Sequence, residues 1–402
     1  MTMPMKPQTA PMEKPMTMPE APLGIADTRD GSGTSWVPDE SAMAGPMIHG
    51  PSWMFMLHWN AFAQFVKTTG DRGDQQFGSV NWLMGMAQRN AGGGLFSARV
   101  MLSAEPLTVG KCGYPNLLQT GESCDGSRLH DRQHPHDVFM EVAADYRRPV
   151  ANGVAFELYG GLAGEPALGP VAFPHRASAM PNPIAPISHH WLDSSHISFG
   201  VVTGGVYGRK WKAEGSVFNG REPDDKRFGF DLAALDSYSG RLWLMPTPRW
   251  ALQVSAGHLN EAELEADGHR ENVDRVTASV MYHRLVRSRL WATTIAWGRN
   301  SAHHTPTSAF LAETAVDLTA RDQWFGRAEI TGKTADDLVL APSAETFTIT
   351  KLQTGYTRWL PWKVHTGIGG SIGMSVLPDT LRSAYGSRAP IDFSVFLTIR
   401  PR

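Results

Sequence analysis

Two side-chain types with metal-binding chemistry are unevenly placed along this chain of 402 residues. Six methionines, Met1, Met3, Met5, Met12, Met16 and Met18, fall in the first eighteen positions, in MxM or near-MxM pairs alternating with proline. A thioether is a soft donor that prefers a soft ion such as Cu(I), and a segment without fixed structure lets several sulfurs gather around one ion. Met43 and Met47 extend the run. The alternative is a biased linker behind a mis-assigned start, because low-complexity composition is unspecific. Met54, Met56 and His58 share one face of the first periodic stretch. That face carries soft donors further along the chain, or simply packs.

Seven of the fifteen histidines fall in two segments. His130, His134 and His136 lie with Asp131 and Asp137 in DRQHPHD; His175, His189, His190 and His196 lie with Asp193 in the stretch that ends HHWLDSSH. Imidazole beside carboxylate suits Cu(II) or Zn(II), and one intervening hairpin separates the segments, so their ligands could converge. His134 and His136 could equally cap turns or bond Asp137. His303 and His304 form a third, smaller group.

Other chemistries find less support. A barrel-borne hydrolase needs a serine, a histidine and a carboxylate or amide in one cluster. His258 and Asn260 share a face, but Ser255 points the other way and no G-x-S-x-G elbow occurs. No phosphate-binding loop or dinucleotide fingerprint is present, so the chain is read as a non-enzyme. A formal net charge of -2 and a pI of about 6.7 offer no basic stripe for nucleic acid. Cys112 and Cys124, twelve residues apart without CxxC spacing, read as a loop-closing disulfide.

The elements that must position these residues are set by a period of two. From Trp53 to Ile399, stretches of about ten residues alternate a uniformly apolar face with one that mixes charge, hydroxyl and glycine. Ile391, Phe393, Val395, Leu397 and Ile399 oppose Asp392, Ser394, Phe396, Thr398 and Arg400; Trp211, Ala213, Gly215 and Val217 oppose Lys212, Glu214, Ser216 and Phe218. Sixteen such strands are expected, at about 53–66, 77–88, 95–104, 137–147, 153–163, 196–208, 211–219, 231–245, 249–258, 273–285, 289–300, 309–319, 323–333, 346–359, 362–376 and 390–400. Their connections run short, long, short. This is the pattern of an all-β, transmembrane, antiparallel up-and-down β-barrel with short periplasmic turns and long external loops. Forty glycines, thirteen tryptophans and 42% hydrophobic residues suit many turns and aromatic girdles. No run of 18 apolar residues predicts a transmembrane helix.

The expected organisation is a Met/Pro-rich flexible periplasmic tail over residues 1–50 and a barrel over 51–402. The tail lacks a charged start and an apolar core, so a mature form or a shortened gene model is expected. With the apolar faces in lipid, Arg99, Glu141, Asp145, Glu157, Lys212, Glu214, Arg241, Arg275, Arg327, Glu329 and Asp392 line the lumen as a mutually neutralising lattice. A sixteen-stranded barrel encloses water, so the lumen is open unless a loop or the tail folds into it. The two longest connections are 105–136 and 165–195. The second follows the fifth strand, where sixteen-stranded porins send a loop inward.

The stretches DRQHPHDVFMEVAADY from Asp131, GEPALGPVAFPHR from Gly164, APISHHWLDSSHISFGVVTGG from Ala185 and GSVFNGREPD from Gly215 resemble uncharacterised outer-membrane β-barrel proteins that accompany bacterial copper and heavy-metal resistance systems. The likeness covers most of the barrel. A Met-rich leader before a barrel also looks like copper resistance protein B in architecture, without a shared motif in the strands. The chain departs from barrel habit at its end, Ile399, Arg400, Pro401 and Arg402, where an aromatic residue is usual. The resemblance implies an outer-membrane barrel whose tail and loops bind or pass copper ions in metal tolerance, with lipid and metal ions or small solutes as partners. A general diffusion porin with incidental Met and His is the second reading, a barrel-borne lipid hydrolase the third.

Overall fold

The computed structural model describes residues 19–42, 45–264, 269–302 and 305–401. A short strand, β1 (Met47–His49), pairs with the first strand of the wall. The wall then runs β2 (Met54–Thr68), β3 (Gln75–Ala91) and β4 (Gly94–Leu102). It is interrupted by a separate hairpin, β5 (Tyr114–Cys124) and β6 (Ser127–Gln133). It resumes with β7 (Phe139–Ala151), β8 (Val154–Ala163), β9 (Val201–Tyr207), β10 (Trp211–Phe218), β11 (Ser237–Leu244), β12 (Trp250–Leu264) and β13 (Arg270–Val286). It ends with β14 (Arg289–Ala302), β15 (Thr305–Asp317), β16 (Asp322–Thr334), β17 (Thr346–Trp359), β18 (Thr366–Val376) and β19 (Ile391–Ile399). Each wall strand pairs antiparallel with the next, and β19 pairs back onto β2 from Asp392 opposite Thr68 to Ile399 opposite Ala61. The result is a closed antiparallel barrel of 16 strands, which leaves no unpaired wall edge.

The faces follow the sequence period. Along β19 every odd residue from Ile391 to Ile399 is exposed on the outside and every even one is buried inside. The outer face is an apolar band, and Trp211, Trp250, Trp291, Trp324 and Tyr356 sit exposed beside the short turns as an aromatic girdle. Apolar side chains turned outward and charged ones turned inward invert a soluble protein, and only a lipid surround makes that arrangement favourable.

The lumen is filled. Hairpin β5–β6 lies inside the barrel, with Leu117, Leu118 and Asn116 buried and the Asn116 amide donating to the Ala185 carbonyl at 3.0 Å. Residues 164–200 fold inward as an irregular plug with a one-turn helix, His189–Leu192. The helix sits against β14, where a methyl group on Gly298 would come 2.1 Å from the Trp191 carbonyl oxygen. These two segments are therefore not the exposed external loops expected from sequence. Backbone groups that water would have served are bonded instead by the lumen's charges, as where Arg327 donates to the Ile184 carbonyl at 2.8 Å.

A third insertion corrects the expected tail boundary at residue 50. Residues 22–41 enter from the short-turn end and pack in the lumen, with Trp36 edge-on to Tyr207 at 5.7 Å and beneath Arg29 and Lys212. Arg99 donates to the Gly33 carbonyl at 2.6 Å, Lys212 to the Thr34 carbonyl at 2.5 Å, and Arg147 pairs with Asp30 at 2.9 Å. Composition suggested a linker, but its few polar groups find fixed cations waiting inside.

Candidate functional site

The two histidine segments meet inside the barrel. His134, His136, His189, His190 and His196 form one buried cluster: ring centres are 6.3 Å apart for His134 and His190, 5.3 Å for His136 and His196, and 5.2 Å for His189 and His196. Phe173 packs against three of them, 5.1 Å from His189 and 5.8 Å from His136 and His196.

One nitrogen of each ring is anchored. His136 Nδ1 lies 2.9 Å from the Glu105 carboxylate and His189 Nδ1 lies 2.7 Å from Asp193. His196 Nδ1 meets the Asp193 carbonyl at 2.9 Å, and His190 Nδ1 is 3.3 Å from Glu222. An imidazole whose Nδ1 is held by oxygen presents Nε2 with its lone pair, the form that binds metals. The Nε2 atoms of His190 and His196 are buried with no hydrogen-bond partner. Burial keeps three of the rings neutral: it takes His189 down to about 4 and His134 and His196 well below the usual imidazole value. Burial alone would raise Asp193, but Arg176 and His189 outweigh it and hold the carboxylate ionised.

At the outer mouth the donors change. Among the described residues, two groups bring three possible ligand atoms within 4.8 Å of one another. One is Cys112 and Cys124 with Asp125, and those cysteines are joined in a disulfide with Cα atoms 5.4 Å apart, as the spacing suggested. The other is His190, Glu222 and Glu263. This triad faces a cavity of about 210 Å³ that Glu271, Asp337 and Glu345 also line. A carboxylate-rich mouth leading to neutral imidazoles is electrostatically suited to cations.

The remaining expected donors stand apart. His130 Nδ1 lies 2.7 Å from the Asp131 carboxylate and 2.6 Å from the Arg72 guanidinium, away from the cluster. His175 contacts Met101 instead. Asp137 pairs with Arg227 at 3.3 Å rather than with His134 or His136; burial pushes its carboxyl up to about 6. Met1, Met3, Met5, Met12, Met16, Met18, Met43, His303 and His304 lie outside the described residues.

The charges expected to line the lumen all point inward and are buried: Arg99, Glu141, Asp145, Glu157, Lys212, Glu214, Arg241, Arg275, Arg327, Glu329 and Asp392. Several neutralise one another, as Arg99 with Glu141 at 3.2 Å, Arg241 with Glu214 at 2.8 Å and Lys351 with Asp392 at 3.4 Å. Others hold the plug, as Glu329 does by accepting from the Ser188 amide and hydroxyl at 2.9 and 2.7 Å. The hydrolase constellation does not assemble. Ser255 is in the lumen, bonded to Thr277 at 2.8 Å, while His258 pairs with Asp274 at 2.7 Å.

Sequence reading missed Glu105, Glu222 and Glu263. Each is far in sequence from the histidine it serves, and no spacing rule links residues 105 and 136 or 190 and 263. The weak available signal was parity, since Glu263 continues the strand segment that follows Leu259.

No protein-family model matches the chain, and no curated protein matches it. Solved structures do. An anion-selective porin from Comamonas acidovorans superposes with a TM-score of 0.54 at 9% identity, covering 87% of this chain and 99% of its own. Salmonella typhi OmpF, in a complex with daunomycin, gives 0.53 at 9% identity over 88% and 100%. Vibrio cholerae OmpT gives 0.50 at 7% identity over 88% and 100%. At such identities the likeness is one of fold, and the chain is a sixteen-stranded barrel built as these outer-membrane proteins are.

Proposed function

We propose that this protein is a bacterial outer-membrane barrel channel that binds and passes copper-like ions in metal tolerance. The observation that carries the reading is a continuous donor path: His190, Glu222 and Glu263 at the outer mouth, then the imidazoles of His134, His136, His189 and His196 beneath them. Nitrogen and carboxylate donors of this kind suit Cu(II) and Zn(II). This path continues inward only as far as the plug allows, so passage requires the plug to shift. The general porin reading keeps the fold likeness in its favour, while a filled lumen weighs against free diffusion of larger solutes.

Proteoliposomes holding the full chain and an internal metal indicator test this. Cu(II) or Zn(II) influx is expected, and His189→Ala/His190→Ala/His196→Ala should cut it at least tenfold without admitting more sugar in a swelling assay. Equal influx in wild type and the triple variant, or free sugar entry in both, removes the metal reading in favour of a diffusion porin.

A further inference from the structure

A second set of donors lies on the wall toward the short-turn end, and its chemistry differs from the histidine cluster. In the antiparallel register His58 of β2 sits opposite Met84 of β3, and Met84 sits opposite Met101 of β4. All three belong to the inward-facing positions of their strands, and directly opposed side chains have Cβ atoms about 4.5–5.5 Å apart. His175 of the plug descends onto this row, its Nε2 3.2 Å from the Met101 Sδ. The Trp82 indole stands between the two imidazoles, 5.2 Å from His58 and 4.7 Å from His175.

Met84 and Met101 pack with Trp82 and Met140 in a buried apolar cluster, and the Met101 sulfur also meets an imidazole nitrogen. His58, Met84 and His175 line an open chamber of about 340 Å³, together with Met54, Met56 and Met86. Met54, Met56, Met84 and Met86 turn four thioethers onto one patch of the inner wall, beside the space they surround. Burial takes His175 down to about 3, leaving its ring neutral. A d¹⁰ ion about 2.0 Å from nitrogen and about 2.3 Å from sulfur separates tetrahedral ligands by about 3.5 Å. The observed 3.2 Å between His175 Nε2 and Met101 Sδ is close to that spacing.

We infer that Met84, Met101 and His175 form a binding site for a soft monovalent d¹⁰ cation, Cu(I) or Ag(I). Two thioethers and one neutral imidazole add no charge, which favours a monovalent soft ion over the divalent ions that the carboxylate-rich mouth suits. The site rests on the proposed metal reading for its physiological sense, but its existence is tested separately.

Purified full-length protein is titrated with Ag(I), a redox-inert probe, against a competing chelator. Met84→Leu/Met101→Leu keeps side-chain volume and should lose one Ag(I) per chain, while ions held elsewhere remain. Met245→Leu, in a packed apolar cluster, should match wild type and controls for the cost of a Met→Leu exchange. His175→Gln should weaken the same Ag(I) at least tenfold. Unchanged stoichiometry and affinity in the double variant overturns the site. Loss of that one ion upholds it even where metal influx into proteoliposomes proves absent, an outcome that sinks the transport reading alone.

Discussion

Arg176 is fully buried and holds the plug's geometry. Its Nε donates to Glu313 of the wall at 2.6 Å, and a terminal nitrogen donates to Asp193 and to the Val171 carbonyl, both at 2.9 Å. Asp193 in turn orients His189, so one guanidinium ties the wall to the histidine cluster. Arg176→Met would leave Asp193 without its buried cation while Glu313 keeps Arg327 at 3.0 Å, a loss of about 3–5 kcal/mol for a broken buried pair. Hydrogen exchange should show residues 164–200 losing protection while the wall keeps it. Protection unchanged in the plug would mean the Arg176 network is dispensable. His189 gives the matching pH effect. Its ring titrates near 6.5 in an unfolded chain and is brought down to about 4 by burial, so the folded state binds fewer protons between those values. The stabilisation is complete above pH 6.5 and is lost as pH falls toward 4. His134 and His196 shift the same way. Plug protection should therefore fall between pH 6.5 and 4, and a flat profile would rule out buried neutral histidines.

Of the three inward segments, residues 164–200 and hairpin β5–β6 matter most. Residues 164–200 occupy the lumen through polar bonds to wall side chains, while their apolar groups pack on the few inward aromatic and aliphatic positions. Deleting 172–194 should raise single-channel conductance in planar bilayers several-fold over a nearly closed wild type. No rise would show that hairpin β5–β6 and residues 22–41 suffice to block the lumen. The hairpin is pinned by the Cys112–Cys124 bond, which closes a short loop. Cross-links of that length contribute about 3 kcal/mol in the loop-entropy account. Cys112→Ser/Cys124→Ser should expose the hairpin to protease and leave the barrel's heat-modifiable migration intact.

At the scale of the whole molecule, stability depends on which solvent meets which face. The outer residues of β18 and β19, Ile368, Ile372, Val395 and Leu397, are all exposed. A cation at the bilayer midplane costs about 2–4 kcal/mol. Ile372→Arg should lower the unfolding free energy in lipid by that amount, and the same change in detergent should cost less. An equal penalty in both would argue that this face is not in hydrocarbon.

How much was legible in the sequence follows from the range of each force. Side-chain alternation is a nearest-neighbour property of extended backbone, so β17, expected at 346–359 and observed at Thr346–Trp359, was readable from its own residues. So was the lumen face that holds Lys212 and Glu214. Hairpin β5–β6 escaped notice because its pairing breaks register between Pro115 and Thr120, which blurs the period. Residues 22–41 escaped because no local pattern says that Arg99 and Lys212 will receive Gly33 and Thr34. By itself, the sequence determined a closed antiparallel wall, its inner and outer faces, the disulfide and the residue types able to hold a metal. Only the tertiary structure decided that two distant histidine segments share one buried cluster and that Glu222 and Glu263 stand beside His190. It also decided that His175 meets Met101 and that the lumen is plugged. These depend on contacts across the barrel between residues tens to hundreds of positions apart, and a period of two carries no information about such closures.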